Sequence, residues 1–147
     1  MKSENIENPF YDLYRSMDYL CRLINSARAK KLRRIGLSYE RASLLSGVYK
    51  LNNNAMPIEL ARYGKRKPQS ITESLARMEK KGLLIKTRDE KKKNVFRVSL
   101  TEKGLAAHEK VQKIAIFGKI FSALSEEQIQ SLKESLEILK DKAEKIT

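Results

Sequence analysis

Between residues 56 and 104 a short helix signal, a basic turn, a second helix signal and a charged hairpin follow one another with almost nothing between them. Pro57 suits the first turn of a helix, where a missing N–H is no loss, and a short helix is expected over residues 57–63. Gly64-Lys65-Arg66-Lys67-Pro68 reads as a turn. The next helix is expected to begin near Pro68 to Ser70, with Ser70 and Glu73 at capping-box spacing. Its buried face would be Ile71, Leu75 and Met78, at i, i+4 and i+7, and Gly82 would close it. Residues 83–88 and 95–100 are short strand-like runs around Asp89-Glu90-Lys91-Lys92-Lys93-Asn94, which makes a hairpin with a basic tip.

That order is the sequence form of a winged helix-turn-helix, so double-stranded DNA is the expected partner. The helix over about 68–81 would enter the major groove, and the hairpin over 83–100 would lie at the minor groove or backbone. Charge agrees. Lys plus Arg outnumber Asp plus Glu by 31 to 18, a net charge of +13. Residues 1–56 carry an excess of +5, residues 57–104 of +8 and residues 105–147 of 0. A polyanion-binding face and a separate, neutral face are implied.

The flanks read as helix. Phe10, Leu13, Met17, Leu20, Ile24 and Ala27 step by threes and fours along one face of a long first helix that runs toward Gly36. Ser38 would cap a second helix to about Leu51, which offers Ala42, Leu45 and Val48 or Tyr49 to a core, and Asn52-Asn53-Asn54 is a turn. Thr101 would cap a helix to about Ser122, with Glu102 in its first turn, and Ser125 with Gln128 forms a capping-box pair for the last helix. In that helix Ile129, Leu132, Leu136, Leu139, Ala143 and Ile146 step 3-4-3-4-3. An intramolecular contact would give the same stripe. The stripe is expected to form a dimer seam, Leu13, Met17, Leu20 and Ile24 with Ile129, Leu132, Leu136, Leu139 and Ile146. The fold class is therefore mainly α with a small β-hairpin wing, in three parts: an N-terminal dimerisation helix (1–36), the winged helix-turn-helix (37–104) and C-terminal dimerisation helices (105–147).

With Ile71, Leu75 and Met78 facing inward, Gln69, Ser70, Thr72, Glu73 and Arg77 face out. Gln69 can pair bidentately with adenine and Arg77 with guanine or a phosphate; Ser70 and Thr72 can meet bases or phosphates, and Glu73 is read as a capping residue. Arg62, Lys65, Arg66 and Lys67, on and before the turn, are placed to clamp phosphates. The wing offers Arg88, Lys91, Lys92, Lys93 and Asn94. Arg28, Lys30, Lys31, Arg33 and Arg34 form a further basic run that reads first as a solvated face, within reach of flanking phosphates or acidic residues of a partner subunit.

Other function classes find little support. There is no Gly-rich phosphate loop, no nucleophile motif and no apolar run near membrane-spanning length, so neither catalysis nor a cofactor is expected, and the location expected is cytoplasmic. One cysteine, Cys21, makes no intramolecular disulfide and reads as a small packed residue rather than a redox switch. One histidine, His108, makes no metal cluster by itself.

Leu75-Ala76-Arg77-Met78-Glu79-Lys80-Lys81-Gly82-Leu83-Leu84, followed by Val98-Ser99-Leu100-Thr101-Glu102-Lys103-Gly104 and preceded by Leu60-Ala61, resembles the MarR family of bacterial and archaeal transcription regulators over nearly the whole chain. The resemblance implies an obligate homodimer with interleaved terminal helices, two winged domains on successive major grooves of a pseudo-palindromic operator, and repression. It also implies a small phenolic or apolar anionic effector, for which Tyr11, Tyr14, Tyr39 and Arg15 are candidates. The wing departs from the pattern. Where many members carry an aspartate and an arginine two residues apart, this chain has Lys92 and Asn94, which implies a looser contact with a steeper salt dependence. A sequence-tolerant architectural DNA binder is the alternative.

Overall fold

The computed structural model describes residues 8–147. Its elements run α1 (Tyr11–Arg34), α2 (Tyr39–Lys50), α3 (Pro57–Gly64), α4 (Pro68–Lys80), β1 (Leu84–Arg88), β2 (Phe96–Leu100), α5 (Glu102–Gln112), α6 (Ile116–Phe121) and α7 (Glu126–Ile146). They fall into two compact units, one ending at Ile114 and one from Ala115 to Thr147. No described helix is long and apolar enough to cross a membrane.

In the first unit the core gathers around α2, whose Ala42, Leu44, Leu45 and Val48 are buried, while Tyr49 is left outside. Leu60 and Ala61 come in from α3, Ile71, Leu75 and Met78 from α4, Leu84, Val98 and Leu100 from the hairpin, and Leu32 from the end of α1. The strands pair antiparallel from Leu84↔Leu100 to Arg88↔Phe96, and Ala55 adds a bridge to Val98 on the far side of β2. Asn52 and Asn53 turn the chain into that bridge with φ of 59° and 54°, a left-handed geometry that asparagine tolerates. The Asn53 side chain then accepts the Leu100 amide at 2.6 Å.

Helix ends follow local chemistry. Gly36 and Gly82, at φ +74° and +72°, close α1 and α4 with the same pair of reverse hydrogen bonds. Ser38, Thr101 and Ser125 cap α2, α5 and α7 with their side-chain oxygens, and Gln128 returns a bond to the Ser125 amide. Thr101 also donates to the Gly82 carbonyl, fastening the start of α5 to the end of α4. Gly104 is required by space: a Cβ there would run into the Leu83 carbonyl oxygen.

Three sequence expectations are corrected. The helix from Thr101 does not run to Ser122 but breaks between Gln112 and Ile116, which lets Ile114 turn against the core. Ser70 and Glu73 do not cap α4: Pro68 starts that helix, Lys67 takes the cap position without a side-chain bond, and Ser70 is engaged elsewhere. Cys21 is not packed but exposed on α1, as are Leu13, Met17 and Leu20 around it.

Candidate nucleic-acid interface

The α3–turn–α4 unit presents a bare helix N-terminus. Unlike α2, α5 and α7, α4 has no side-chain cap, and its first-turn amides have no acceptor within the helix. Gln69, Thr72 and Glu73 are exposed beside it, Ser70 is half-buried, and Arg77 is exposed in the last turn of the same helix. Thr72 donates to the Pro68 carbonyl at 3.1 Å, which leaves its oxygen free to accept. Arg77 stands 3.8 Å from Glu73, with both side chains nearly two-thirds exposed, a separation at which an ion pair holds little.

The turn is basic at a cost to its backbone. Lys65 closes α3 at φ +50°, a left-handed conformation worth on the order of 1 kcal/mol of strain in a residue other than glycine. Gly64, one position earlier, is not the residue that takes it. Arg62, Lys65 and Lys67 are exposed. Arg66 is held: one guanidinium nitrogen lies 2.9 Å from Glu40 Oε1, and the other donates to Ser70 Oγ at 3.1 Å. Glu40, on the first turn of α2, also accepts from the hydroxyl of buried Ser74. The Ser74 hydroxyl first, and Arg66 after it, hold the Glu40 carboxyl below the usual carboxylate range, against the opposing effect of burial.

Arg88, Lys91, Lys92, Lys93 and Asn94 are all exposed on the wing. The tip is organised by Asp89, whose carboxylate accepts the Lys91 amide at 2.9 Å and Arg97 Nε at 3.1 Å. The Lys91 amide is the larger influence keeping this carboxyl below its ordinary value, and Arg97 adds to it. An aspartate–arginine pair is thus present, joining the residue after β1 to β2. Neither Glu40 nor Arg97 stood out in the sequence, because each matters through a partner distant along the chain. Elsewhere Arg28 lies over the Tyr39 ring at 4.8 Å, and Tyr11 and Tyr14 are in ring contact.

A family model described as a winged helix DNA-binding domain matches residues 37–104. The ligand-free organohalide-sensing transcriptional regulator RdhR is 27% identical, with 92% of this chain and 81% of that one covered and a TM-score of 0.79. AbsC, a MarR family transcriptional regulator from Streptomyces coelicolor, has a TM-score of 0.83 at 20% identity over 90% of this chain and 92% of its own. Residues 37–104 form a winged helix DNA-binding domain, and the chain has a MarR-type fold. A mutant of E. coli MarR complexed with operator DNA shares that MarR-type fold at a TM-score of 0.79 and 17% identity, over 90% of this chain and 98% of that one. No sequence among the curated proteins matches the chain.

Proposed function

We propose that the protein is a homodimeric transcriptional repressor that binds a pseudo-palindromic operator, with α4 in the major groove of each half-site. The observation that carries this reading is the coincidence of charge and exposure. The +8 segment, residues 57–104, contains the uncapped end of α4, the basic turn and the wing. Gln69, Ser70, Thr72 and Arg77 are the proposed base-reading set, and Arg62, Lys65, Arg66 and Lys67 the phosphate clamp. Arg88, Lys91, Lys92, Lys93 and Asn94 would follow the minor groove or backbone.

Dimerisation is supported by apolar surface that a single chain leaves open. Leu13, Met17 and Leu20 on α1 are 57%, 39% and 49% exposed, and Leu132, Leu136 and Leu139 on α7 are 36%, 45% and 51% exposed. Long stripes of this kind are covered in stable proteins, and a second copy brings the matching surface. The two recognition helices would then sit about one helical turn apart, roughly 10 base pairs.

An effector belongs to the same reading. RdhR has been solved bound to 2,4-dichlorophenol. This chain has a cavity of about 570 Å³ in its first unit, lined not by Tyr11, Tyr14, Arg15 or Tyr39 but by Leu37, Leu83 and Ala107 alongside Arg41, Lys103 and Lys110, which suits a small apolar anion. An effector of this kind would act by favouring a dimer shape in which the recognition helices no longer match the operator.

Fluorescence anisotropy against the DNA upstream of the protein's own gene and a scrambled duplex, at several salt concentrations, tests the proposal. Tight binding to the first duplex alone, with two subunits per site, is expected. Equal, steeply salt-dependent binding to both would favour the architectural alternative, and no binding at low salt would sink the reading.

A further inference from the structure

Of the four cations around the turn, Arg66 differs from Arg62, Lys65 and Lys67 in being tied into the fold. Its guanidinium has five N–H donors. One goes to Glu40 and one to Ser70, which leaves three on a side chain that is 36% exposed at the N-terminal end of α4. Glu40 is in turn secured from the inside by the hydroxyl of Ser74, which is only 5% exposed. A closed circuit results: Ser74 on α4 holds Glu40 on α2, Glu40 holds Arg66 in the turn, and Arg66 holds Ser70 back on α4.

We infer that Glu40 is a positioning residue for DNA binding, which never touches DNA itself but sets Arg66 to receive a phosphate at the start of the recognition helix. This rests on the DNA-binding reading given above. A carboxylate near a phosphate site repels the ligand, so its presence requires a compensating role. Fixing a rotamer-rich arginine in advance removes its ordering cost from the binding step, and a carboxylate matches the planar guanidinium fork in a way that water does not.

The experiment is a double-mutant cycle in the full-length protein with Glu40→Ala, Arg66→Ala and the pair. It is read by anisotropy on whichever duplex the wild type binds, across a salt series, with thermal melting alongside. Glu40→Ala is a tolerable deletion because the Ser74 hydroxyl already lies 3.0 Å from the Ser70 carbonyl oxygen and can fall back on it. In the wild-type background Glu40→Ala is expected to weaken binding about three- to tenfold, the ordering cost of one such side chain, with the salt slope little changed because Arg66 still neutralises its phosphate. In the Arg66→Ala background the same change is expected to leave binding equal or tighter, since only the repulsion is removed.

Tighter binding of Glu40→Ala in the wild-type background would overturn the inference, because Glu40 would then be withholding Arg66 from DNA. An equal effect in both backgrounds, or no effect in either, would overturn it too. If Glu40→Ala does not fold, Arg66→Lys keeps the charge without the fork; the same three- to tenfold loss is expected, and full affinity would refute the role. Failure of the wild type to bind any duplex would remove the DNA reading and this inference together, whereas wild-type binding without coupling removes this inference alone.

Discussion

Asp89 accepts a hydrogen bond from Arg97 across the hairpin, 3.1 Å from Nε to Oδ2, while its other oxygen takes the Lys91 amide at 2.9 Å. One carboxylate therefore shapes the turn and aims a cation. Asp89→Ala raises the net charge by one, so charge counting alone expects tighter DNA binding. The geometry leads to a different result. Affinity for a scrambled duplex holds or rises, while the ratio of operator to scrambled affinity falls roughly three- to tenfold, as expected when a cation is no longer ordered before binding. Competition anisotropy with the two duplexes measures that ratio.

Gln69 stands exposed in the first turn of α4 and Arg77 in its last, and neither is tightly committed within the protein. Gln69→Ala and Arg77→Ala should each cost about 1–3 kcal/mol on the operator and much less on scrambled DNA. Replacing Lys91, Lys92 and Lys93 by glutamine should behave differently. Binding to both duplexes weakens alike, and the salt slope drops by about 0.9 for each phosphate that is no longer neutralised. Titrations at three or more salt concentrations separate the two classes.

Gly104 and Gly118 make a matched pair for stability. A methyl group at 104 meets the Leu83 carbonyl oxygen, whereas one at 118 meets nothing within 4 Å. Gly104→Ala must push α5 away from the hairpin and should lose at least about 1–3 kcal/mol, with a clear fall in melting temperature. Gly118→Ala should be neutral or slightly stabilising through helix propensity. Equal effects in thermal melts would refute the close approach.

His108 supplies a pH signature. It is buried, its Nδ1 has no hydrogen-bond partner, and its ring stacks on Tyr49 with centroids 4.4 Å apart. Burial holds its pKa below the ordinary 6.5, so the unfolded chain takes up the proton first as pH falls. The associated stability is fully present above about pH 6.5 and is lost progressively as pH drops toward the folded-state pKa. Melting temperature should fall between pH 7.5 and 5.5. His108→Phe, which preserves the stack and cannot titrate, should flatten that slope.

Local chemistry made much of this fold legible. Pro57, Thr101 and the Ser125–Gln128 pair each announce a helix start through groups within three residues, and Ile71, Leu75 and Met78 mark the buried face of α4 by spacing alone. The misread positions are those where a distant partner or a backbone constraint decides. Ser70 and Glu73 have the spacing of a cap, yet Pro68 begins the helix and Arg66 claims the Ser70 oxygen. The break after Gln112 is invisible to periodicity because it is set by Ile114 finding the core. For the same reason Glu40 and Arg97 look like ordinary surface charges until the fold brings Ser74, Arg66 and Asp89 beside them.

Among the described residues, no side chain beyond Val111 is buried. Helices α6 and α7 have no fully buried side chain, and much of the apolar content of α7 is facing water. In the dimer proposed above, the free energy those leucines release on being covered comes from association, which makes it depend on how much protein is present. Abundance would then be an input to the molecule's structure: a dilute chain and a concentrated one would differ in the order of their terminal helices while sharing the same winged core.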